Sequence, residues 1–460
     1  MTEKVTKLMK DSTLIRWIAL ILLASMMFFA YMFVDVLSPL QSMLEVNRGW
    51  TPENYGMFAS SEYFLNVFAF FLIFAGIILD KMGIRFTAIL SGIVMVVGAS
   101  IKYYAISDYF MGSGLESTLN SFWTSFPASA KLASLGFMIF GCGVEMAGIT
   151  VSKAIVKWFN GKELALAMGI EMAIARLGVF AVFRISPRIA DMIPASISRP
   201  VLFCCILLFI GLICFIIYSL MDKKLDKQMG ESGIEPEEPF KISDIGILFT
   251  SKTFLIVAGL CVLYYSAIFP FQKFAANMLE CRLGISNKDA SDIFSWFPIG
   301  AMLLTPLLGA FLDNKGKGAT MLIIGAVLMC CCHLIFALVP AESFTPLIAY
   351  SAIIILGVSF SLVPAALWPS VPKLVENRYL GSAYSVIFWI QNIGLMVFPM
   401  LIGWALTATN VGVANPKEYN YMVPMLIFAC LGVLAFILGL WLKAEDKKKG
   451  YGLELPNIKK

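Results

Sequence analysis

Apolar runs of roughly 20 residues recur along the whole chain, and each is the length that carries a helix across about 30 Å of hydrocarbon. Twelve are read, over 14–39, 55–78, 85–106, 132–155, 164–189, 199–220, 254–279, 289–312, 319–339, 346–367, 380–406 and 421–442. No soluble core needs so much apolar sequence. Of the 460 residues, 59% are hydrophobic and only 14% charged, and mean hydropathy is +0.82. The expected fold class is an all-α membrane protein with twelve transmembrane helices. The first run lacks a small-residue cleavage site and is too long for a signal-peptide core, so it reads as a retained helix.

The longest polar interruption, residues 221–241, carries mixed charge with Pro and Gly and falls between the sixth and seventh runs. It reads as a mobile linker. The expected organisation is a tail over 1–13, a six-helix bundle over 14–220, a linker over 221–252, a second bundle over 253–443 and a tail over 444–460. Most Lys and Arg fall in the tails and even-numbered loops, with Lys223, Lys224, Lys227 and Lys447, Lys448, Lys449 the plainest clusters. By the positive-inside rule both termini are cytoplasmic. Solvated topology markers explain these clusters better than lipid or nucleic-acid binding, and no nucleic-acid partner is expected. Arg176, Arg184 and Lys273 are read as the basic residues inside runs.

A repeat supports the halving. Between the second and third runs stands G-I-I-L-D-K-M-G, from Gly76 through Asp80 to Gly83. Between the eighth and ninth stands G-A-F-L-D-N-K-G, from Gly309 through Asp313 to Gly316. Gly permits close helix approach and positive φ, while Asp can cap a helix or pair with a base. A duplicated six-helix unit points to a transporter whose binding site lies near mid-membrane between the halves.

Glu145 and Arg176 each sit near the middle of an apolar run. A charge at bilayer depth costs about 2.5–3.5 kcal/mol on insertion scales, so it faces an aqueous path, a partner or a polar ligand. A carboxylate accepts from an ammonium and a guanidinium grips a carboxylate with two donors, so two opposite charges at one depth suit a zwitterion. Substrate contact is the reading adopted. Neutralisation between packed helices and a proton relay are the alternatives, and the first of these is compatible with substrate contact.

The Asp80 turn, closed by Arg85, resembles the loop signature of the major facilitator superfamily, although Ile84 stands where that pattern prefers a base. The resemblance implies a cytoplasmic charge lock involving Asp80 and Arg85 with the turn glycines Gly76 and Gly83, and more weakly Asp313. A narrower match is G-V-E-M around Glu145, then W-F-N-G-K-E-L and A-R-L-G around Arg176, with Y-Y-S-A-I-F-P-F at 264–271, A-L-W-P at 366–369 and Q-N-I-G-L at 391–395. These resemble the lysosomal dipeptide transporter branch of that superfamily. The resemblance implies that Glu145 and Arg176 help hold the ends of a short peptide and that transport is uniport; proton coupling through Glu145 or Asp35 stays open. Gln391 and Asn392, in the last motif, join the substrate-binding candidates.

Tyr264, Tyr265, Phe269 and Trp368 are candidate cavity walls, with helix packing the competing reading for each, since 13% of the chain is aromatic. Lys273 either reaches the cavity or, as slightly favoured, snorkels outward. Asp35, late in the first run, can attract an amino group or sense protons; for it, Glu62 and Glu171 a hydrogen-bonded carboxylate in a wet gap is at least as good a reading. Arg184 is expected at the outer rim. His333, beside Cys330, Cys331 and Cys332, is expected to pack, because consecutive helical residues cannot converge on one ion. The cysteines imply no disulfide framework. No metal or cofactor is expected.

No phosphate-binding loop, zinc-helix motif or nucleophile elbow appears in a usable context, which argues against an ATP-driven pump and against an enzyme. The expectation is a secondary transporter of dipeptides working by alternating access, as a monomer. The alternatives are an organic-anion or sugar carrier using Arg176 alone, and a peptide receptor without flux. No acidic dileucine-type signal or N-x-S/T acceptor is found, so a bacterial inner membrane is favoured over a lysosomal one.

Overall fold

The computed structural model describes residues 8–159, 161–229, 246, 248–376 and 379–456. The first half comprises α1 (Thr13–Val34), α2 (Gln41–Arg48), α3 (Pro52–Ser61), α4 (Phe64–Phe68), α5 (Phe71–Ile106), α6 (Gly114–Asn120), α7 (Ala128–Phe159), α8 (Leu164–Ala190) and α9 (Ser198–Met229). The second comprises α10 (Lys252–Leu283), α11 (Asn287–Phe294), α12 (Trp296–Lys315), α13 (Gly318–Leu338), α14 (Pro346–Leu374), α15 (Leu380–Thr409) and α16 (Met422–Lys449). Helix starts follow local chemistry. The hydroxyls of Thr51, Ser251, Ser286 and Thr345 each accept from a first-turn backbone N–H, and Pro52 and Pro346 follow two of them.

Among the described residues, eleven helices are long and apolar enough to cross a bilayer. The twelfth expected crossing, over 55–78, is present in pieces: α3, α4 and the part of α5 before Gly83. That glycine breaks α5 at φ 80° and ψ 168°, while Phe70 takes φ 51° at the junction before it. In the second half Gly316 ends α12 at φ 74°. Left-handed backbone therefore recurs at the last glycine of both repeat units, where a side chain would be strained. The eighth crossing is built from α11 and α12 in series.

The polar stretch after residue 220 departs from expectation. α9 continues to Met229, and Asp222 anchors it: Lys157 Nζ donates at 2.7 Å and Trp158 Nε1 at 3.0 Å. Residues 221–229 are thus a helix end stitched to α7. Of the rest of the expected linker, 230–245 and 247 lie outside the described residues.

Two six-helix bundles result. α1, α5, α7, α8 and α9 pack on one another in the first, and α10 and α12 to α16 in the second. Between bundles α3 lies along α15, where a Cβ on Gly56 would overlap the Pro399 backbone and crowd Gly403. An even number of crossings puts both termini on one side, here termed the terminal side.

The links between bundles are distributed unequally. On the far side Arg188 grips Asp292 through two donors at 2.8 and 2.7 Å, Ser42 donates to Glu280 at 2.9 Å and Tyr419 to Glu45 at 2.5 Å. Arg184, as expected at this rim, donates to Ser295 Oγ at 3.2 Å. At mid-depth Trp389 Nε1 donates to the Val67 carbonyl at 3.0 Å. On the terminal side five ion pairs each stay within a bundle: Lys153–Asp80, Arg85–Asp226 and Arg16–Glu163 in the first, Lys252–Glu445 and Lys317–Glu454 in the second. Among the described residues, the ties between bundles named here lie on the far side and at mid-depth.

Candidate substrate site and far-side lock

Glu145 and Arg176 lie near the middles of α7 and α8, half-buried, and each meets the other bundle. The Asn392 amide of α15 lies against the Glu145 carboxylate. The Arg176 guanidinium sits over three rings, 5.9 Å from the centroid of Tyr31, 5.3 Å from Phe269 and 5.3 Å from Phe360. Such stacking holds a guanidinium while leaving its in-plane donors free. Glu171, on the same helix, is within electrostatic reach of it. Glu145 and Arg176 form no ion pair with each other, unlike other opposite charges in this structure. Mutual neutralisation is not what this conformation holds: Glu145 lies against Asn392 of the second bundle, and Arg176 is stacked by Phe269 and Phe360 of that bundle and by Tyr31 of α1.

Aromatic side chains complete this belt. Tyr265 stacks on Phe269 at 5.4 Å and meets Phe360 edge-on at 5.8 Å, and Trp368 Nε1 donates to the Tyr265 hydroxyl at 3.2 Å. Trp368 stacks in turn on Phe388 at 4.9 Å. The chain Arg176–Phe269–Tyr265–Trp368 is thus continuous. Tyr264 is not part of it. One residue along a helix turns the side chain through about 100°, and Tyr264 points into the second bundle, fully buried, donating to the Leu322 carbonyl. Gln391 is likewise buried, accepting from Cys261 Sγ at 3.4 Å, whereas its neighbour Asn392 faces Glu145.

Lys273 departs from the slightly favoured reading, and Asp35 follows the hydrogen-bonded one. Lys273 does not snorkel; it is 4% exposed, and Asp35 is 1% exposed. The Lys273 ammonium lies 3.1 Å from Asp35 Oδ1, 3.1 Å from the Val34 carbonyl and 3.7 Å from Glu62 Oε2. Asp35 also accepts from Ser38 Oγ at 3.0 Å and from Gln272 Nε2 at 2.5 Å. Asp35 is thus sealed within a lock between bundles rather than lining the mid-depth belt. Beside it Lys102, fully buried, donates to the Phe33 carbonyl at 3.4 Å and stands over Phe33 and Phe137, 4.4 and 4.1 Å from their centroids. Sequence reasoning passed over Lys102, although a lone lysine inside the run 85–106 carries the same signal as Glu145.

The remaining motifs find structural roles. Asp80 pairs with Lys153 at 2.6 Å and Arg85 with Asp226 at 3.1 Å, so both residues of the expected charge lock are engaged, through two ties from the turn to α7 and α9. Gly76 is helical within α5 with open space around it, and Asp313 is engaged in the matching turn. The W-F-N-G-K-E motif fastens the terminal side of the first bundle. Lys162 donates to Asp11 at 2.6 Å, and Arg16 holds Glu163 with contacts of 2.8 Å. Lys162 holds the Asp11 carboxyl below its ordinary range; Glu163 is lowered first by its own backbone N–H and then by Arg16. His333 is buried between Phe271 at 5.0 Å and Phe428 at 5.2 Å, as packing requires. No group of three metal-ligating side chains occurs among the described residues.

Comparison with known proteins agrees with this architecture. The chain is 27% identical over 454 residues to the lysosomal dipeptide transporter MFSD1 of Danio rerio, covering 96% of this chain and 89% of that protein. It is 27% identical to the Mus musculus protein of the same name, covering 85% and 80%. The hexuronate transporter of Bacillus subtilis (strain 168) is 23% identical, covering 68% and 76%. Among solved structures, a bacterial homolog of the human lysosomal transporter Spinster, inward-facing and unoccupied, superposes with TM-score 0.71 at 14% identity, covering 95% of this chain and 98% of that one. The nucleoside transporter NupG gives TM-score 0.67 at 15% identity, covering 92% and 99%. The Major Facilitator Superfamily model matches residues 23–399 and, overlapping these, 274–454. An integral, multi-pass, non-enzymatic transporter built as two helix bundles, the chain belongs to the Major Facilitator Superfamily.

Proposed function

We propose that this transporter carries dipeptides by alternating access, as a uniporter. The observation that carries the reading is the unpaired couple at mid-depth: Glu145 and Arg176 face the second bundle and do not satisfy each other. A zwitterion whose ends lie a few ångströms apart fits such a couple, its ammonium at Glu145 and its carboxylate at the Arg176 fork. The aromatic wall of Phe269, Tyr265 and Trp368 supplies amphipathic contact that accepts varied side chains. The likeness to proteins named dipeptide transporters supports the same reading.

In the proposed cycle the bundles rock about this belt. The far-side lock of Asp35, Glu62 and Lys273 closes one entrance, and the terminal side forms the other. The Lys223, Lys224, Lys227 and Lys447, Lys448, Lys449 clusters support a cytoplasmic terminal side, making the conformation inward-open in a bacterial cell membrane. Release then leads to the cytoplasm. The cycle needs one chain and no proton.

The decisive experiment is uptake into proteoliposomes. Labelled dipeptide should enter to equilibrium with a shallow pH dependence; saturable binding without flux indicates a receptor instead. The likeness to a hexuronate transporter favours one rival, a monoanion carrier relying on Arg176 alone. Glu145→Gln separates the two, since it should cut dipeptide uptake about tenfold, the loss of one charge-assisted hydrogen bond, and leave uptake of a monoanion such as a hexuronate intact.

A further inference from the structure

The far-side lock is built around one ammonium. Its acceptors Asp35 Oδ1 and the Val34 carbonyl, at 3.1 Å each, and its ion-pair neighbour Glu62 Oε2 at 3.7 Å all belong to the first bundle, whereas Lys273 belongs to the second. Opening the far side must therefore draw Lys273, and Gln272 with it, out of the cradle. Two carboxylates then share a buried site with one cation, Lys102, which is already committed to the Phe33 carbonyl and to the rings of Phe33, Phe58 and Phe137 at 4.4, 5.1 and 4.1 Å. Glu62 Oε2 has no hydrogen-bond partner even with Lys273 in place. A buried carboxylate stripped of its counter-ion is strongly disfavoured.

We propose that this cradle is a second ammonium site, used in the far-side-open state. It takes a primary ammonium of the substrate in place of Lys273, and Lys273 is a built-in competitor that returns as the substrate moves on to Glu145. Opening then becomes easiest when an ammonium-bearing substrate is present to replace the lysine. The inference rests on the reading of the substrate as a zwitterion with a free amino end.

The test uses the full-length Lys273→Met protein in detergent, with n-propylammonium chloride as probe and tetramethylammonium chloride, which donates no hydrogen bond, as control. A vacant cradle that binds primary ammonium raises the melting temperature saturably with the first salt only. The rise over and above any response that Glu145 gives in the wild type, whose cradle is filled, should be absent from Lys273→Met/Asp35→Asn. Equal responses to both salts, or a rise above the wild-type response that survives Asp35→Asn, overturn the proposal. Should Lys273→Met not fold, Asp35→Asn alone decides. It should raise the half-saturating dipeptide concentration for entry from the far side about tenfold, the loss of roughly one charge-assisted hydrogen bond, with less than about a twofold change from the terminal side. Equal shifts on both sides overturn it. Dipeptide flux without propylammonium binding sinks the cradle and spares the dipeptide reading; propylammonium binding without dipeptide flux does the reverse.

Discussion

The mid-depth belt and the far-side lock use the same residue types and arrange them in opposite ways. In the lock, Lys273 sits at 3.1 Å from Asp35 and within 3.7 Å of Glu62, and all three are almost fully buried. In the belt, Glu145 and Arg176 stay half-buried and unpaired with each other, one against Asn392 and the other over three rings. Charges that satisfy one another hold a closed entrance. Charges kept apart are left to grip something else.

The comparison is broken most severely at Arg176. Arg176→Lys keeps the charge and loses the planar fork, so we expect dipeptide uptake at subsaturating substrate to fall roughly 100-fold, about 2–3 kcal/mol of lost bidentate bonding, with normal membrane insertion. Near-normal uptake by this variant would mean the belt does not hold a carboxylate. The lock is probed next through stability. Lys273→Met leaves Asp35 and Glu62 buried without their counter-charge and should destabilise the protein by about 3–5 kcal/mol, whereas Lys273→Met/Asp35→Asn should recover part of that loss. Additive losses in thermal unfolding would contradict the pairing.

Smaller effects separate neighbours. Tyr264→Phe removes a buried hydroxyl that donates to the Leu322 carbonyl and should cost about 1 kcal/mol of stability without changing half-saturation, while Tyr265→Phe should raise half-saturation about two- to fivefold. The smallest effect concerns the terminal side. Asp11 and Glu163 have carboxyls lowered in the folded protein, so their contribution is fully present above their ordinary values of 3.8 and 4.5 and is lost as pH falls through the lowered ones. A fluorophore at Met9 should therefore report a docked N-terminal segment at pH 5 and release only below about pH 4; release at pH 5 would contradict the Lys162 and Arg16 ties.

Much of this was legible in the chain, for identifiable reasons. Length and apolarity dictate the crossings, and the repeated Gly/Asp turn marks the halves because positive φ recurs at Gly83 and Gly316. A charge inside an apolar run identifies Glu145 and Arg176, and the same rule applied to residues 85–106 picks out Lys102. What one-dimensional reading lacked was direction around each helix. Tyr264 and Tyr265 are neighbours in sequence and face different surroundings, and Lys273 has the stem of a snorkelling lysine yet meets carboxylates from α1 and the α3–α4 junction. Sequence also hides the partner of a charge. Asp80 and Arg85 share a turn but bond α7 and α9 separately.

The most direct test is a cycle on the two ends of the substrate, measuring competition against labelled dipeptide uptake by free, N-acetylated and C-amidated dipeptide in wild type, Glu145→Gln and Arg176→Lys. If Glu145 holds the ammonium and Arg176 the carboxylate, N-acetylation weakens inhibition of wild type about as much as Glu145→Gln does and costs little more in that variant, with C-amidation and Arg176→Lys matched in the same way. Full additivity of every modification with every substitution would contradict the account.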